Sequence, residues 1–561
     1  MNKSFVISLS VIAAIIILSQ WLSFRIDMTA DKRYSISQPT RQLLRNLEDP
    51  IDITLYLDGE LNPGFLRLQT AVVDLSEEFR LYAAEGLELE VVNPNSFTDN
   101  ELKDFYQLMY KNGLSPTEVN ERDRDGKLTK QTLYPFAKLH LADRSLFVPL
   151  LQNQRGKSGA ENLNASIETL EYRFTDALRR LIPHQPVKIA FIEGHGELPE
   201  PYVYDAELAF SQYFQVDRGV IGNDASMLND YKAIVIADPQ TPFSEADKYI
   251  IDQYIMRGGR VMWLIDGVHI SDDGLSKDGF TPAIPMDVNL TDMLFRYGVR
   301  INPVLVQDQQ CLSVPVNISS NASTPDYQPM PFYYAPLLLT SFDSPVSKNV
   351  SQVMSSFVST IDFVGEGTEQ SREYLLATSN ASRLISTPAK IDLTELDLEN
   401  TLFQYAYMPV AVSIDGQFES VFAHRVKPDG VQDSGAKRQQ GESRQIVIAG
   451  GSIIRNEVQK GEPLPMGYDR LSGMQFGNRD FIRNAMLWLT DDDGWIQLRN
   501  KEITLRLLNN NVARNSRHRI QAVTIISPLI FLTLIAFCSL LLRYYRYKRN
   551  EQKNESVSPE K

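Results

Sequence analysis

The sequence predicts an α/β protein in which a βαβ unit and a doubly wound parallel sheet form extracytoplasmic domains between two transmembrane helices. Three observations carry this: uncharged apolar runs near both ends of the 561-residue chain, a strand–helix–strand pattern soon after the first, and apolar strands alternating with helices in the middle. With 43% hydrophobic and 22% charged residues, the chain has material for several packed cores and is not of disordered composition. A net charge of -14, from 56 Lys+Arg and 70 Asp+Glu, argues against a general basic surface, so no nucleic-acid partner is expected. The two cysteines, Cys311 and Cys538, cannot build a Cys-rich metal site, an iron–sulfur cluster or a disulfide framework. They are not expected to pair, and no metal or cofactor is expected.

The first apolar run, Ser4 to Phe24, has Lys3 before it and spans a bilayer at roughly 1.5 Å rise per residue. No small-x-small cleavage pattern stands around Gln20-Trp21-Leu22-Ser23, so an uncleaved anchor is expected. The second run, Gln521 to Leu542, tolerates Pro528 as a membrane helix does. Arg543, Arg546, Lys548, Arg549 and Lys553 follow it, and the positive-inside rule then places both termini in the cytoplasm, with the residues between the spans outside it. Arg514, Arg517 and Arg519 crowd the opposite end, but long domains cross largely regardless of charge. The expected organisation is an anchor over 1–26, a first α/β domain over 27–183, a second, amidotransferase-like but non-catalytic, over 184–495, a basic linker over 496–520, the second span over 521–543 and a cytoplasmic tail over 544–561. Two spans cannot enclose a conducting pathway alone, so a role in transport requires a membrane partner.

Ile51 to Leu57 runs apolar like a strand and ends at Asp58-Gly59. Phe65, Leu68, Val72, Leu75 and Phe79 recur at helical spacing over 65–82, and Leu87 to Val92 returns as a strand, completing a βαβ unit. Tyr134 to Leu151 reads as a hairpin around Ala142-Asp143-Arg144, and Ile167 to Leu181 as a helix stopped by Pro183. A second α/β region opens with the strand ending at Glu193, followed by a helix over 206–213 and a buried strand over 233–237 broken by Asp238-Pro239. Ser244 with Asp247 caps a helix over 245–256, Gly258-Gly259 closes it, and another strand runs from Arg260 to Ile265 before Asp266. The Pro/Ser-rich stretch 314–345 reads as irregular or edge structure, 427–443 as a mobile loop, and strands recur at 374–378, 410–414 and 445–449 before a helix over 479–489.

Gly194-His195-Gly196-Glu197 is the most chemical-looking tetrapeptide, because it follows a strand where open α/β sheets place ligands and offers an imidazole and a carboxylate. The plainer reading is a tight turn whose side chains bond neighbouring backbone. Gly450-Gly451-Ser452 after a strand could cradle an anion, although the Gly-Lys-Ser/Thr element of a P-loop is absent. Asp238 and Asp266 end neighbouring strands and could pair carboxylates on one sheet edge, or serve as turn residues. Asp123-Arg124-Asp125-Gly126 mimics part of an EF-hand loop, but Thr132 stands where the bidentate Glu belongs, so a hairpin turn is expected. Asp491-Asp492-Asp493-Gly494 reads as a helix-ending turn.

The order of these features resembles the auxiliary family of ABC transport systems. Within it, Asp31-Lys32-Arg33-Tyr34-Ser35-Ile36-Ser37, Tyr468-Asp469-Arg470, Gln475-Phe476-Gly477-Asn478, Asp480-Phe481-Ile482 and Leu498-Arg499-Asn500-Lys501-Glu502 resemble the protein G family of gliding-motility-associated ABC transporters. The resemblance implies a non-enzymatic subunit working with a cytoplasmic ABC ATPase and a polytopic permease in the lipid bilayer, and with envelope gliding or secretion machinery. It supplies no substrate or catalytic residue to carry over. Two rivals stand beside it: a ligand-binding subunit using the sheet-edge crevice, where a deep pocket is then expected, and a hydrolase-like enzyme using His195 and Glu197 as acid and base with Asp238 or Asp266 assisting.

Overall fold

The computed structural model describes residues 35–122, 128–152, 158–182, 186–271, 274–275, 279–317, 326–341, 343–365, 369–392, 402–433, 435–501 and 516–555. The expected first span, the EF-hand-like turn at 123–126 and Pro183 lie outside them. The chain divides into two compact units, 1–502 and 503–561.

The first lobe of the larger unit is a four-stranded sheet with order β2-β1-β3-β4: β1 (Ile51–Leu55), β2 (Leu87–Val91), β3 (Phe136–Leu141) and β4 (Arg144–Pro149). β1 and β2 are parallel, Ile51 opposite Leu87, so the expected βαβ unit is present. Helix α1 (Gln38–Arg45) precedes it and α2 (Pro63–Arg80) makes the crossover, starting earlier than its apolar spacing suggests because the Asn62 side chain accepts the Gly64 and Phe65 N–H groups. The hairpin of β3 and β4 turns through Ala142 at φ 53°. Helix α3 (Asp99–Lys111), opened by a Thr98–Glu101 capping box, was not foreseen, and its Phe105 and Met109 join Tyr134 and Phe136 in a small core. The single helix expected over 167–181 is two, α4 (Gly159–Glu168) and α5 (Leu170–Leu181), broken where the Thr169 hydroxyl bonds the Ala165 carbonyl.

The second lobe is built on β5 (Val187–Glu193), β6 (Phe214–Val220), β7 (Ala233–Ala237), β8 (Arg260–Leu264), β9 (Cys311–Asn317), β10 (Tyr327–Thr340), β11 (Gln370–Ala377), β12 (Pro409–Glu419) and β13 (Gln440–Ile448), in the order β9-β10-β11-β12-β13-β8-β7-β5-β6. From β13 to β6 neighbours are parallel, and from β13 to β9 they are antiparallel. The expected doubly wound parallel sheet is therefore one half of a mixed sheet. The reason lies in the connections: β12 and β13 pair Glu419 with Gln440 across an excursion without a crossover helix, which forces the antiparallel sense. Helices α6 (Glu200–Phe210) and α8 (Asn478–Thr490) cover one face and α7 (Glu245–Met256) the other. Alternate residues of β7 divide accordingly, with Ala233, Val235 and Ala237 in one core and Ile234 and Ile236 in the other.

Three further expectations are corrected. The helix placed over 206–213 ends at Phe210, and Phe214 onward is the unforeseen edge strand β6, whose charged Asp217 and Arg218 hide its strand character. The segment 427–443 is no free loop: Lys437 Nζ donates to the Phe422, Ala423 and Arg425 carbonyls, Asp433 pairs with Arg257 at 3.0 Å, and 440–443 open β13. The basic linker expected from 496 begins as a 3₁₀ turn over Trp495–Asn500 with Ile496, Leu498 and Arg499 buried. Trp495 stacks on Tyr172 of α5 at 5.4 Å, so this turn seals the two lobes together. Beside it, Lys501 Nζ donates to Glu171 Oε2 at 2.6 Å and to the Ser35 carbonyl at 2.8 Å, while Glu171 Oε1 accepts from Ser37 N and Thr40 Oγ1.

The smaller unit contains helix α9 (Arg517–Glu555), continuous through Pro528 and into the residues expected as a tail. Its segment Arg519–Tyr545 is, among the described residues, the one helix long and apolar enough to cross a bilayer.

Candidate functional site at the sheet edge

Strand β5 delivers the Gly-His-Gly-Glu loop to the carboxyl edge of the parallel half-sheet. Gly194 (φ 114°) and Gly196 (φ 76°) adopt left-handed conformations, and a Cβ at Gly194 would lie 2.7 Å from Val220 Cγ1, so glycine is required at the first. The His195 carbonyl accepts the Gln240 and Thr241 N–H groups at 2.8 and 2.9 Å, tying this loop to the one after β7. The imidazole is buried and stacks on Phe243 at 3.6 Å. Its Nδ1 meets Glu197 Oε1 at 3.1 Å and its Nε2 meets Asp247 Oδ2 at 3.3 Å, while Glu197 Oε2 accepts the His195 N–H at 2.7 Å. Desolvation pushes the His195 pKa down, but hydrogen bonds to Glu197 and Asp247 and their charges outweigh it and leave it above its ordinary value. Both ring nitrogens therefore face carboxylates, not a hydroxyl or thiol that they could activate.

Asp238, at φ 56° after β7, sends its N–H to the Leu264 carbonyl at 2.8 Å. Asp266, after β8, accepts the Gly451 N–H at 2.7 Å. A Cβ on Gly451 would stand 2.4 Å from Asp238 Cγ, so both carboxylates converge on this glycine and only a hydrogen side chain fits. Gly450, likewise, could not carry a Cβ without meeting Val358 Cγ1 at 2.6 Å. The glycines expected to cradle an anion thus serve close packing, and the N–H of Gly451 already holds the chain's own carboxylate. The Ser452 hydroxyl donates to the Ser356 carbonyl at 2.9 Å and accepts the Ser356 N–H at 3.0 Å.

A cavity of about 360 Å³ opens among these loops, with Gly196, Glu197, Asp238, Asp266 and Ser452 in its wall. Sequence reading missed Arg455 and His269, which also line it, and Asp247, which it had read only as a cap partner of Ser244. The Arg455 guanidinium lies over the Tyr202 ring at 5.1 Å. Gly194 and His195 shape the edge from outside the cavity. Three carboxylates and one guanidinium suit a ligand that presents hydrogen-bond donors. Among the described residues no group of His, Cys, Asp and Glu is placed to hold a metal ion.

An open-edged mixed sheet with helices on both faces and its loops gathered at the carboxyl edge defines the class. Residues 186–485 match the family model described as an ABC-type uncharacterized transport system, and the chain belongs to that family. Residues 30–140 match a second model, described as a domain of unknown function. An uncharacterized protein of Borreliella burgdorferi is 19% identical over 540 residues, 94% of each chain. Among solved structures, the N-terminal domain of mmIFT52 is similar at TM-score 0.31 and 13% identity, over 54% of this chain and 98% of that one. A ThuA-like protein from Parabacteroides merdae reaches TM-score 0.25 at 10% identity, over 58% and 94%.

Proposed function

We propose that the chain is a non-enzymatic accessory subunit of an ABC transporter, anchored in the bacterial inner membrane by two spans, with both termini cytoplasmic and the α/β body periplasmic. The observation that carries this reading is the transport-family body over 186–485 in a chain that also holds a bilayer-length apolar helix over Arg519–Tyr545. The meeting of Ser35 with Lys501 supports it, because the two ends of the body then leave from one place toward the same face of a membrane. Partners would be a polytopic permease and a cytoplasmic ATPase, and the motif resemblance extends the proposal to gliding motility and to envelope machinery. The sheet-edge cavity favours one second reading, a periplasmic ligand-binding subunit.

The test is affinity purification of the tagged full chain in mild detergent with mass spectrometry of what accompanies it. One ATPase and one multi-span permease, lost when residues 521–543 are replaced by an unrelated span, are expected. Isolation of the chain alone, or with cell-wall enzymes, would overturn the subunit reading and return His195 and Glu197 to consideration as acid and base.

A further inference from the structure

A second cavity, of about 230 Å³, lies where the two lobes meet, between β4 and α5 on one side and α8 with the Trp495–Asn500 turn on the other. Guanidinium groups of Arg173, Arg180, Arg483 and Arg499 line it, against the carboxylates of Asp176 and Asp480. The anionic side is partly committed: Asp176 Oδ2 accepts the Tyr213 hydroxyl at 3.1 Å and faces Arg180 Nη1 at 3.9 Å, while its Oδ1 has no hydrogen-bond partner among the described residues, and Asp480 Oδ1 pairs with Arg483 Nη2 at 2.8 Å. Burial raises the Asp176 pKa, opposed by the charges of Arg180 and Arg483.

The cationic side retains capacity. Arg180 Nε and Arg483 Nε are buried and have no hydrogen-bond partner among the described residues. Arg499, itself buried, donates Nε and Nη2 to the Pro345 and Lys348 carbonyls at 2.8 and 2.7 Å, which fixes its orientation. Desolvation, opposed by Asp480 and reinforced by Arg499 and Arg483, pulls the Arg173 pKa down to about 10. Gathering like charges in a partly enclosed space is unfavourable unless an anion offsets it, and the planar guanidinium fork matches tetrahedral oxyanions with paired hydrogen bonds.

We propose that this cavity binds a phosphate-class oxyanion, as inorganic phosphate or as the head group of a small phosphomonoester. Bound there, it would join arginines of α5 to one of α8 and so brace the two lobes.

The full chain, in uncharged detergent and buffer free of phosphate and sulfate, is titrated calorimetrically with sodium phosphate and separately with glycerol 1-phosphate, at ionic strength fixed by sodium chloride. At least one titrant is expected to fill a single saturable site, weakened at least tenfold in Arg483→Gln and in Arg180→Gln. Asp176→Asn removes opposing charge while keeping an acceptor for Tyr213, and is expected to tighten binding severalfold, which a misfolded variant could not do. Tighter binding of phosphate assigns the free ion, and tighter binding of glycerol 1-phosphate assigns the head group. Absence of saturable heat with both titrants, or equal affinity across the variants, overturns the proposal. Should Arg483→Gln lose its thermal transition, Arg180→Gln and Asp176→Asn decide the matter.

Discussion

The sheet-edge cavity and the arginine-lined cavity of the larger unit differ in what their polar groups have left to give. At the sheet edge the conspicuous groups are occupied within the chain: His195 lies between Glu197 and Asp247, Gly451 N–H holds Asp266, and Ser452 bonds Ser356. Between the lobes, inconspicuous arginines keep buried donors unpaired. A motif that looks chemical in sequence can thus be a loop lock, while binding capacity is measured by donors and charges not yet satisfied.

Four experiments break or sharpen that contrast. Gly451→Ala has the largest expected effect, about 3 kcal/mol of lost stability, because its methyl would overlap Asp238, and a fall in denaturant midpoint would report it. Near-neutral behaviour would mean that the edge can open. Asp266→Ala leaves the Gly451 N–H without its acceptor and should cost about 2 kcal/mol, with Asp266→Asn recovering most of it in the same measurement.

His195→Gln is expected to cost about 1 kcal/mol at pH 6 and less at higher pH. The sign follows from the raised pKa: the folded state binds its proton more tightly than the unfolded one, so the contribution is full below the ordinary histidine value and is lost as pH rises through the folded one. A stability profile for the variant as steep as that of the parent over this window would refute the ion-paired lock. Arg483→Gln should change stability least, a loss of about 0.5 kcal/mol, since the Asp480 pair it gives up is partly exposed. Thermal melts at two salt concentrations check this, the difference between parent and variant shrinking as salt screens the pair.

What could be read from sequence was what local chemistry dictates. The strands at 233–237 and 260–264 announced themselves because burial on both faces demands unbroken apolar runs, and Ser244 with Asp247 marked a helix start that the structure realises. Strand β6 escaped because an edge strand may carry Asp217 and Arg218 outward, and β10 because Pro329, Pro331 and Pro336 sit beside a sheet edge where missing N–H groups are tolerated. At the sheet edge, Glu197, Asp238, Asp266 and Ser452 were named from their positions after strands and do line one cavity, whereas Asp247 as the second partner of His195 needed the fold. The arginine cavity was invisible in sequence, because it assembles α5 with a helix and turn from the far end of the lobe and no local spacing records that meeting.

The bond from Lys501 to the Ser35 carbonyl closes a loop of 466 residues, with the buried Glu171 carboxylate as its clasp. A bilayer holding both ends near one another would restrict the unfolded chain much as a crosslink does, while asking nothing of the folded body, whose ends already coincide. Loop-closure entropy over that length is worth up to about 5 kcal/mol. If the two proposed spans hold both ends, the body cut free of them should unfold more readily than the same body in the membrane, although every contact within it is unchanged.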